Sequence, residues 1–345
     1  MLVANDCAMN VGERSATATT SRKGAAALPV AELLKSPSKA VESLSKVHAL
    51  WQGDTLTYLQ ALPKEPTFDF IITSPPYNIG KEYETRKKLS TYLEWQSSII
   101  DELVPRLKVG GSLCWQVGSF IEDNEIFPLD IEFAPLFRRH GLRLRNRVIW
   151  HFGHGLHTSR RFSGRYEVVL WYTNTPSKKD GYTFNLDAVR VPAKYPAKRH
   201  FKGPNAGELS GNPLGKNPED VWKNIEDFWD IPNVKSNHVE KTDHPCQFPV
   251  GLVERLLLAL TNEGDLVFDP FAGVASAGVA AALHNRRFIG CELKGSYARQ
   301  GIKRMQDALD GNAIYRPHDR PVYDHTQSNL SKAPKGYPGH GGDLA

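Results

Sequence analysis

No run of 18 apolar residues occurs in the chain, which excludes a membrane-spanning helix, and the N-terminal stretch lacks the apolar segment that a secretory signal needs. The expected location is therefore the cytoplasm. Cysteine is scarce: Cys7, Cys114, Cys246 and Cys291 stand far apart without a C-x-x-C pair, so neither a disulfide framework nor a zinc knuckle is expected, and the thiols are read as reduced. Acidic residues are absent from Phe133 to Tyr166, where Arg138, Arg139, Arg143, Arg145, Arg147, Arg160, Arg161 and Arg165 fall together with four histidines. From Lys178 to Lys202, seven Lys or Arg stand against only Asp180 and Asp187, with Tyr182, Phe184, Tyr195 and Phe201 interleaved. A net charge of +5 alone names no partner, and a charge run is as often a solvated face as a phosphate surface. The neighbouring motifs must decide.

The 345 residues are 40% hydrophobic and 23% charged, enough for one large α/β domain with an insertion, or for two domains. Residues 1–45, rich in Ala, Ser, Thr and Lys, read as a disordered leader, and 317–345, rich in Gly, Pro, His and Asp, as a flexible tail. Between them, strands are expected over Val47 to Trp51, Phe68 to Thr73, Ser112 to Val117, Arg147 to His151, Glu167 to Tyr172, Leu266 to Asp269 and Arg287 to Cys291. Helices are expected over Leu89 to Leu107, Pro249 to Leu260 and Val274 to His284. This alternation implies a mostly parallel, doubly wound α/β sheet, interrupted by an irregular Gly/Pro/Asn-rich insertion at 174–242.

Ligands of such sheets sit at the carboxyl ends of the strands, near the switch in strand order. Three strand ends stand out: Ser74-Pro75-Pro76-Tyr77-Asn78, Asp269-Pro270-Phe271-Ala272-Gly273, and Glu292. Two consecutive prolines fix φ and remove two N–H donors, which leaves a stiff corner whose carbonyls await a donor such as a ligand amine. Tyr77 offers a ring for stacking a planar base. A bare S-P-P-Y is also an ordinary turn; its place directly after a β-branched strand argues for chemistry.

Thr73-Ser74-Pro75-Pro76-Tyr77-Asn78 resembles the catalytic motif of the DNA amino-methyltransferases, which methylate N6 of adenine or N4 of cytosine. Asp269-Pro270-Phe271-Ala272-Gly273 resembles their S-adenosylmethionine loop, Glu292 the acidic residue on the ribose hydroxyls, and Gln52-Gly53-Asp54 the Gly-Asp step near the cofactor adenine. His244-Pro245-Cys246-Gln247-Phe248-Pro249 resembles the H-P-x-Q-x-P element, and Arg161-Phe162 to Tyr166-Glu167 and Gly215-Lys216-Asn217-Pro218 to Trp222 also recur in such enzymes. With the catalytic strand end first and the cofactor loop last, the order resembles the β group, a circularly permuted, Rossmann-like methyltransferase sheet. The resemblance implies a catalytic domain over 46–173 and 243–316 and a target-recognition region over 174–242. Three positions depart from the pattern: Gly273-Val274-Ala275-Ser276 replaces the frequent G-S-G-T, Phe248 stands where Lys is frequent, and Ser74 replaces the Asp of many adenine enzymes.

The resemblance implies S-adenosylmethionine as cofactor, catalytic Ser74, Pro75, Pro76 and Tyr77, and cofactor contacts from Asp54, Ser74, His244, Gln247, Asp269, Pro270, Phe271, Ala272, Gly273, Ser276 and Glu292. It also implies double-stranded DNA as substrate, with Arg160, Arg161, Arg165, Lys194, Lys198, Arg199 and Lys202 on its phosphates. A homodimer, a cognate restriction endonuclease and a place on the nucleoid follow from the same likeness. N6 of adenine is the favoured target because Pro-Pro-Tyr-Asn is commoner in adenine enzymes; Ser74 keeps N4 of cytosine open. Pro245-Cys246-Gln247 resembles the nucleophilic motif of cytosine-C5 enzymes, but there the cysteine follows the cofactor loop, whereas Cys246 precedes Asp269. RNA and protein-glutamine methyltransferases usually carry Asn-Pro-Pro-Tyr, and a DNA-binding protein with a decayed core is the alternative outside enzymes. His151, His154 and His157 lie among glycines, off any regular helical face, so polar contacts near DNA are expected there and no metal.

Overall fold

The computed structural model describes residues 30–81, 84–152, 157–223, 231–235 and 237–317. The strands in chain order are β1 (Ala31–Leu34), β2 (His48–Gln52), β3 (Phe68–Thr73), β4 (Leu107–Val117), β5 (Ser119–Glu122), β6 (Glu125–Pro128), β7 (Arg143–His151), β8 (Tyr166–Thr173), β9 (Val221–Lys223), β10 (Leu266–Asp269) and β11 (Arg287–Glu292). The helices are α1 (Ala40–Ser43), α2 (Thr55–Ala61), α3 (Leu89–Leu103), α4 (Leu129–Arg138), α5 (Val250–Leu260), α6 (Ser276–Leu283) and α7 (Gly295–Leu309). Cys7, His154 and the tail from 318 onward lie outside the described residues.

Every expected strand enters one sheet of order β1-β2-β11-β10-β3-β4-β8-β7-β9, nine strands among the described residues. From β1 to β4 all neighbours are parallel; β8 runs antiparallel to β4 and to β7, and β9 parallel to β7. The two last strands of the chain thus insert between β2 and β3. That insertion brings the carboxyl ends of β2, β3, β10 and β11, distant in sequence, to one edge of the sheet. The central strands are apolar on both faces because both faces are covered. One side packs an aromatic layer, with Phe68 stacked on Phe268 at 4.4 Å and Trp115 against Phe137 at 5.4 Å. On the other, α5 and the small-residue helix α6 bury Leu252, Val253, Ala277 and Ala280.

Two expectations are corrected. The leader does not run to residue 45: Ala31–Leu34 pairs in parallel with β2, and the Ala31 N–H donates to Gln306 Oε1 of α7 at 3.0 Å. Four residues are too short to show periodicity, so only the docking site reveals this strand. The helix from Leu89 stops at Leu103 rather than Leu107, because Pro105 removes a helical donor and forces a 3₁₀ turn over Val104–Arg106. Arg106 is fully buried there and donates to the Leu59 and Leu62 carbonyls at 2.6 and 2.7 Å, which ties α2 to the start of β4. The insertion is irregular as expected, with a 3₁₀ turn at Leu186–Ala188 and β9 as its regular elements among the described residues. No helix among the described residues is long and apolar enough to cross a membrane.

Candidate active site

A cleft of about 880 Å3 opens at the carboxyl edge of the parallel strands. Asp54, Ser74, Pro75, Pro76, Tyr77, His244, Gln247, Asp269, Pro270, Phe271, Ala272, Gly273, Ser276 and Glu292 all line it, so the structure gathers every residue expected at the catalytic corner and the cofactor loop. The corner after β3 is held from below. Thr73 Oγ1 donates to Asp269 Oδ1 at 2.6 Å, locking β3 to β10, and Tyr92 of α3 donates to the Pro76 carbonyl at 2.7 Å. The Pro76 carbonyl therefore serves the fold, whereas no hydrogen bond among the described residues reaches the Pro75 carbonyl. Asn78, at φ 61, bonds Lys87 through both ends of its amide at 2.7 and 2.6 Å, and its N–H donates to Glu84 at 2.9 Å. Its left-handed backbone and loop closure explain why Asn follows the tyrosine.

The acidic groups are preset by hydrogen bonds, Asp269 buried, Glu292 half-buried and Asp54 exposed. Asp269, 3% exposed, accepts from Thr73 and from the Phe271 N–H at 3.0 Å, and burial raises its pKa to about 7. Glu292 accepts the Gly273 N–H on one oxygen at 2.9 Å and the Lys294 N–H on the other at 2.7 Å; burial raises its pKa to about 7 as well. Asp54 caps α2 through the Thr57 N–H at 3.0 Å. Phe271 packs between Trp95 at 5.7 Å and Trp115 at 6.3 Å, which fixes the ring at the cleft. The altered glycine loop still forms. Gly273 and Ala275 both take left-handed φ, 54° and 57°, at a cost of about 1 kcal/mol for the alanine, and Gly301 of α7 leaves room for its Cβ. Ser276 receives a bond from Arg304 at 3.2 Å.

The H-P-x-Q-x-P segment folds as a self-bonded turn. Gln247 donates to the Glu240 carbonyl at 2.8 Å and accepts from Thr242 N–H and Oγ1 at 3.1 and 2.9 Å, so its amide holds the turn. His244 stacks edge-on to Tyr297 at 4.6 Å and faces Gly273, where a Cβ would come within 3.2 Å of its Nε2.

The comparisons with known proteins agree with this geometry. The family described as DNA methylase matches residues 68–303. The chain belongs to the DNA methylase family. It is 43% identical over 279 residues to the type II methyltransferase M.BglII of Bacillus subtilis, covering 80% of this chain and 74% of that one. It is 31% identical over 265 residues to the DNA adenine methyltransferase YhdJ of Escherichia coli K12, covering 74% and 82%. Among solved structures, TTHA0409 of Thermus thermophilus, complexed with S-adenosyl-L-methionine, aligns with a TM-score of 0.54 at 25% identity, over 77% of this chain and 96% of that one. The methylase is thus an amino-methyltransferase of the β group with a class-I-like fold, and DNA is its substrate.

The basic residues divide differently from the sequence. In the stretch without acids, Arg147 pairs with buried Asp130 at 2.5 Å, Arg139 bonds Asp101, Arg143 donates to the Thr175 carbonyl at 2.6 Å, and Arg145 lies 4.2 Å over the Tyr182 ring. These four serve the fold, because carboxylates, carbonyls, hydroxyls and a ring remote in sequence reach them. Arg160 and Arg161 are exposed and Arg165 partly so, on the β7–β8 connection whose flanks, Phe152 and Glu167, line the cleft. Lys194, Lys198, Arg199 and Lys202 are exposed on an excursion closed by the Val191–Lys216 bridge, and none lines the cleft of the methylase. Sequence reasoning passed over Gln116 and assigned no role to Glu167; both reach the cleft beside Tyr77. Recurrence of Glu167 in a motif was the signal that could have found it.

Proposed function

We propose that the methylase transfers a methyl group to the exocyclic amine of a base flipped out of double-stranded DNA, with Ser74, Pro75, Pro76 and Tyr77 as its catalytic corner. The carrying observation is that Ser74 and Pro75 line the same cleft as Asp269, Phe271 and Glu292. S-adenosylmethionine is the cofactor, and when bound it supplies a methyl group activated by a positively charged sulfur. The residues present suit it: the buried Asp269 and half-buried Glu292 carboxylates suit hydroxyl and cationic groups, Phe271 gives an aromatic face, and Gly273 keeps the space beside His244 open. Glu292 is read as the acceptor for ribose hydroxyls and Asp54 as the neighbour of the cofactor adenine. His244 and Gln247 hold the facing wall, and Pro270, Ala272 and Ser276 shape the loop. An exocyclic amine is a weak nucleophile because its lone pair is conjugated into the ring. Acceptance of its two hydrogens by Ser74 and the Pro75 carbonyl favours the pyramidal nitrogen, Tyr77 stacks on the base, and alignment provides the main acceleration. Flipping costs a few kcal/mol.

For the base, Asn78 is committed to its loop, so the step from Pro-Pro-Tyr to Asn no longer weighs for adenine, and the neutral hydroxyl of Ser74 supports N4 of cytosine. N6 of adenine is the second reading, supported by the similarity to YhdJ. Digestion of methylated DNA to nucleosides and mass spectrometry should yield N4-methyldeoxycytidine. N6-methyldeoxyadenosine would select the second reading, and the absence of both products would refute amine transfer.

Arg160, Arg161, Arg165, Lys194, Lys198, Arg199 and Lys202 are read as phosphate contacts, the region 174–242 as target recognition, and a second copy and a cognate endonuclease as partners on the nucleoid. Replacing Arg160, Arg161 and Arg165 by Ala should weaken binding alike on all sequences and flatten the slope of log affinity against log salt by about 0.9 per lost contact. An unchanged slope would remove these residues from the interface.

A further inference from the structure

Beyond the corner itself, three side chains form a chain of hydrogen bonds along the floor of the cleft. Ser74 Oγ–H donates to Tyr77 Oη at 3.0 Å, and Tyr77 Oη–H donates to Glu167 Oε2 at 3.3 Å. The same carboxylate oxygen receives Gln116 Nε2 from β4. Glu167 belongs to β8 and stands opposite Trp150 of β7, so three neighbouring strands and the loop after β3 position the chain.

We infer that Glu167 is the terminal proton acceptor of methyl transfer, reached through Tyr77 and Ser74. With its own hydrogen directed to Tyr77, Ser74 Oγ keeps lone pairs for the target amine. This inference rests on the amine-transfer reading above and extends it. As the nitrogen–carbon bond forms and the sulfur–carbon bond breaks, the nitrogen becomes cationic and acidic. Its proton passes to Ser74 Oγ, the serine proton to Tyr77 Oη, and the tyrosine proton to Glu167, which ends as a neutral carboxyl; both hydroxyls are regenerated. The proton leaves to water when the cleft empties. Burial raises the Glu167 carboxyl to about 7, so the acceptor form predominates only above that pH. The groups facing it are Tyr77, Gln116, Trp150 and Lys235, with Cys246 near Tyr77; burial outweighs the lowering by the Tyr77 and Gln116 hydrogen bonds and by Lys235.

The test is single-turnover methyl transfer to DNA at saturating cofactor across pH 6 to 9, for wild type, Glu167→Gln, Tyr77→Phe and the double variant, with cofactor calorimetry as the control for folding. Methylation by the wild type secures the underlying reading independently. The expected wild-type rate falls as pH drops through about 7. Both single variants should lose about 10- to 100-fold at high pH and lose the acid limb, and the double variant should be no slower than the singles. An acid limb that persists in Glu167→Gln, or losses that multiply in the double variant, would overturn the relay.

Discussion

Ser74→Ala is expected to slow methyl transfer about 100- to 1,000-fold, the usual loss when one preorganised polar contact to a reacting group is removed. Cofactor affinity should stay near wild type, because the groups that shape the cofactor side are anchored elsewhere: Asp269 by Thr73 and the Phe271 N–H, and Phe271 by Trp95 and Trp115. The substitution removes the acceptor for the target amine and also breaks the bond to Tyr77, while Pro75 and Pro76 keep the backbone corner stiff. Tritiated methyl transfer to DNA in a single turnover measures the first effect and calorimetry the second. Full activity would remove Ser74 from the chemistry, and a parallel collapse of cofactor binding would mean that the hydroxyl serves the donor rather than the base.

Glu292→Ala should weaken S-adenosylmethionine binding about 100-fold, since hydrogen bonds to a charged group contribute about 1.5 to 3 kcal/mol. Glu292→Gln, which keeps an acceptor, should lose less. The effect has a pH signature. Burial raises Glu292 and Asp269 to about 7, so the folded protein without cofactor holds protons that the unfolded chain has already released. Between the ordinary carboxylate pKa and about 7, stability of the empty protein should therefore fall as pH rises, because the native state binds more protons there. Donor hydroxyls of the cofactor favour the ionised carboxylate, so affinity should rise over the same interval. Thermal unfolding with and without cofactor at pH 5.5 and 8 reads both trends. A stabilisation by cofactor that does not grow with pH would show that Glu292 does not meet those donors.

The sequence was most legible where chemistry and local geometry coincide. Tyr77 follows two prolines whose fixed φ is local, and Glu292 ends a strand whose apolar run is local, so both sites could be named from short stretches. Arg147 shows the opposite. It looked like part of a phosphate-binding run because Asp130 sits 17 positions away and enters only when α4 packs on β4 and β8. Asn78 looked like a hint about the base, yet its amide closes a loop to Lys87. Gln247 looked like a ligand contact, and its amide turned inward to Glu240 and Thr242. In each case a polar side chain has a hydrogen-bond partner that its own motif does not show.

The sequence by itself determined the alternating strands and helices, the permuted order of the motifs and the stiff corner after β3, because apolar periodicity and proline geometry act over a few residues. Tertiary structure alone decided that β10 and β11 slide between β2 and β3, that Arg139 and Arg147 pair with carboxylates while Arg143 and Arg145 bond neutral groups, and that Glu167 reaches Tyr77 from a strand 90 residues on. Burial and cross-strand hydrogen bonding depend on which surfaces meet, and that is settled only when the sheet closes against its helices.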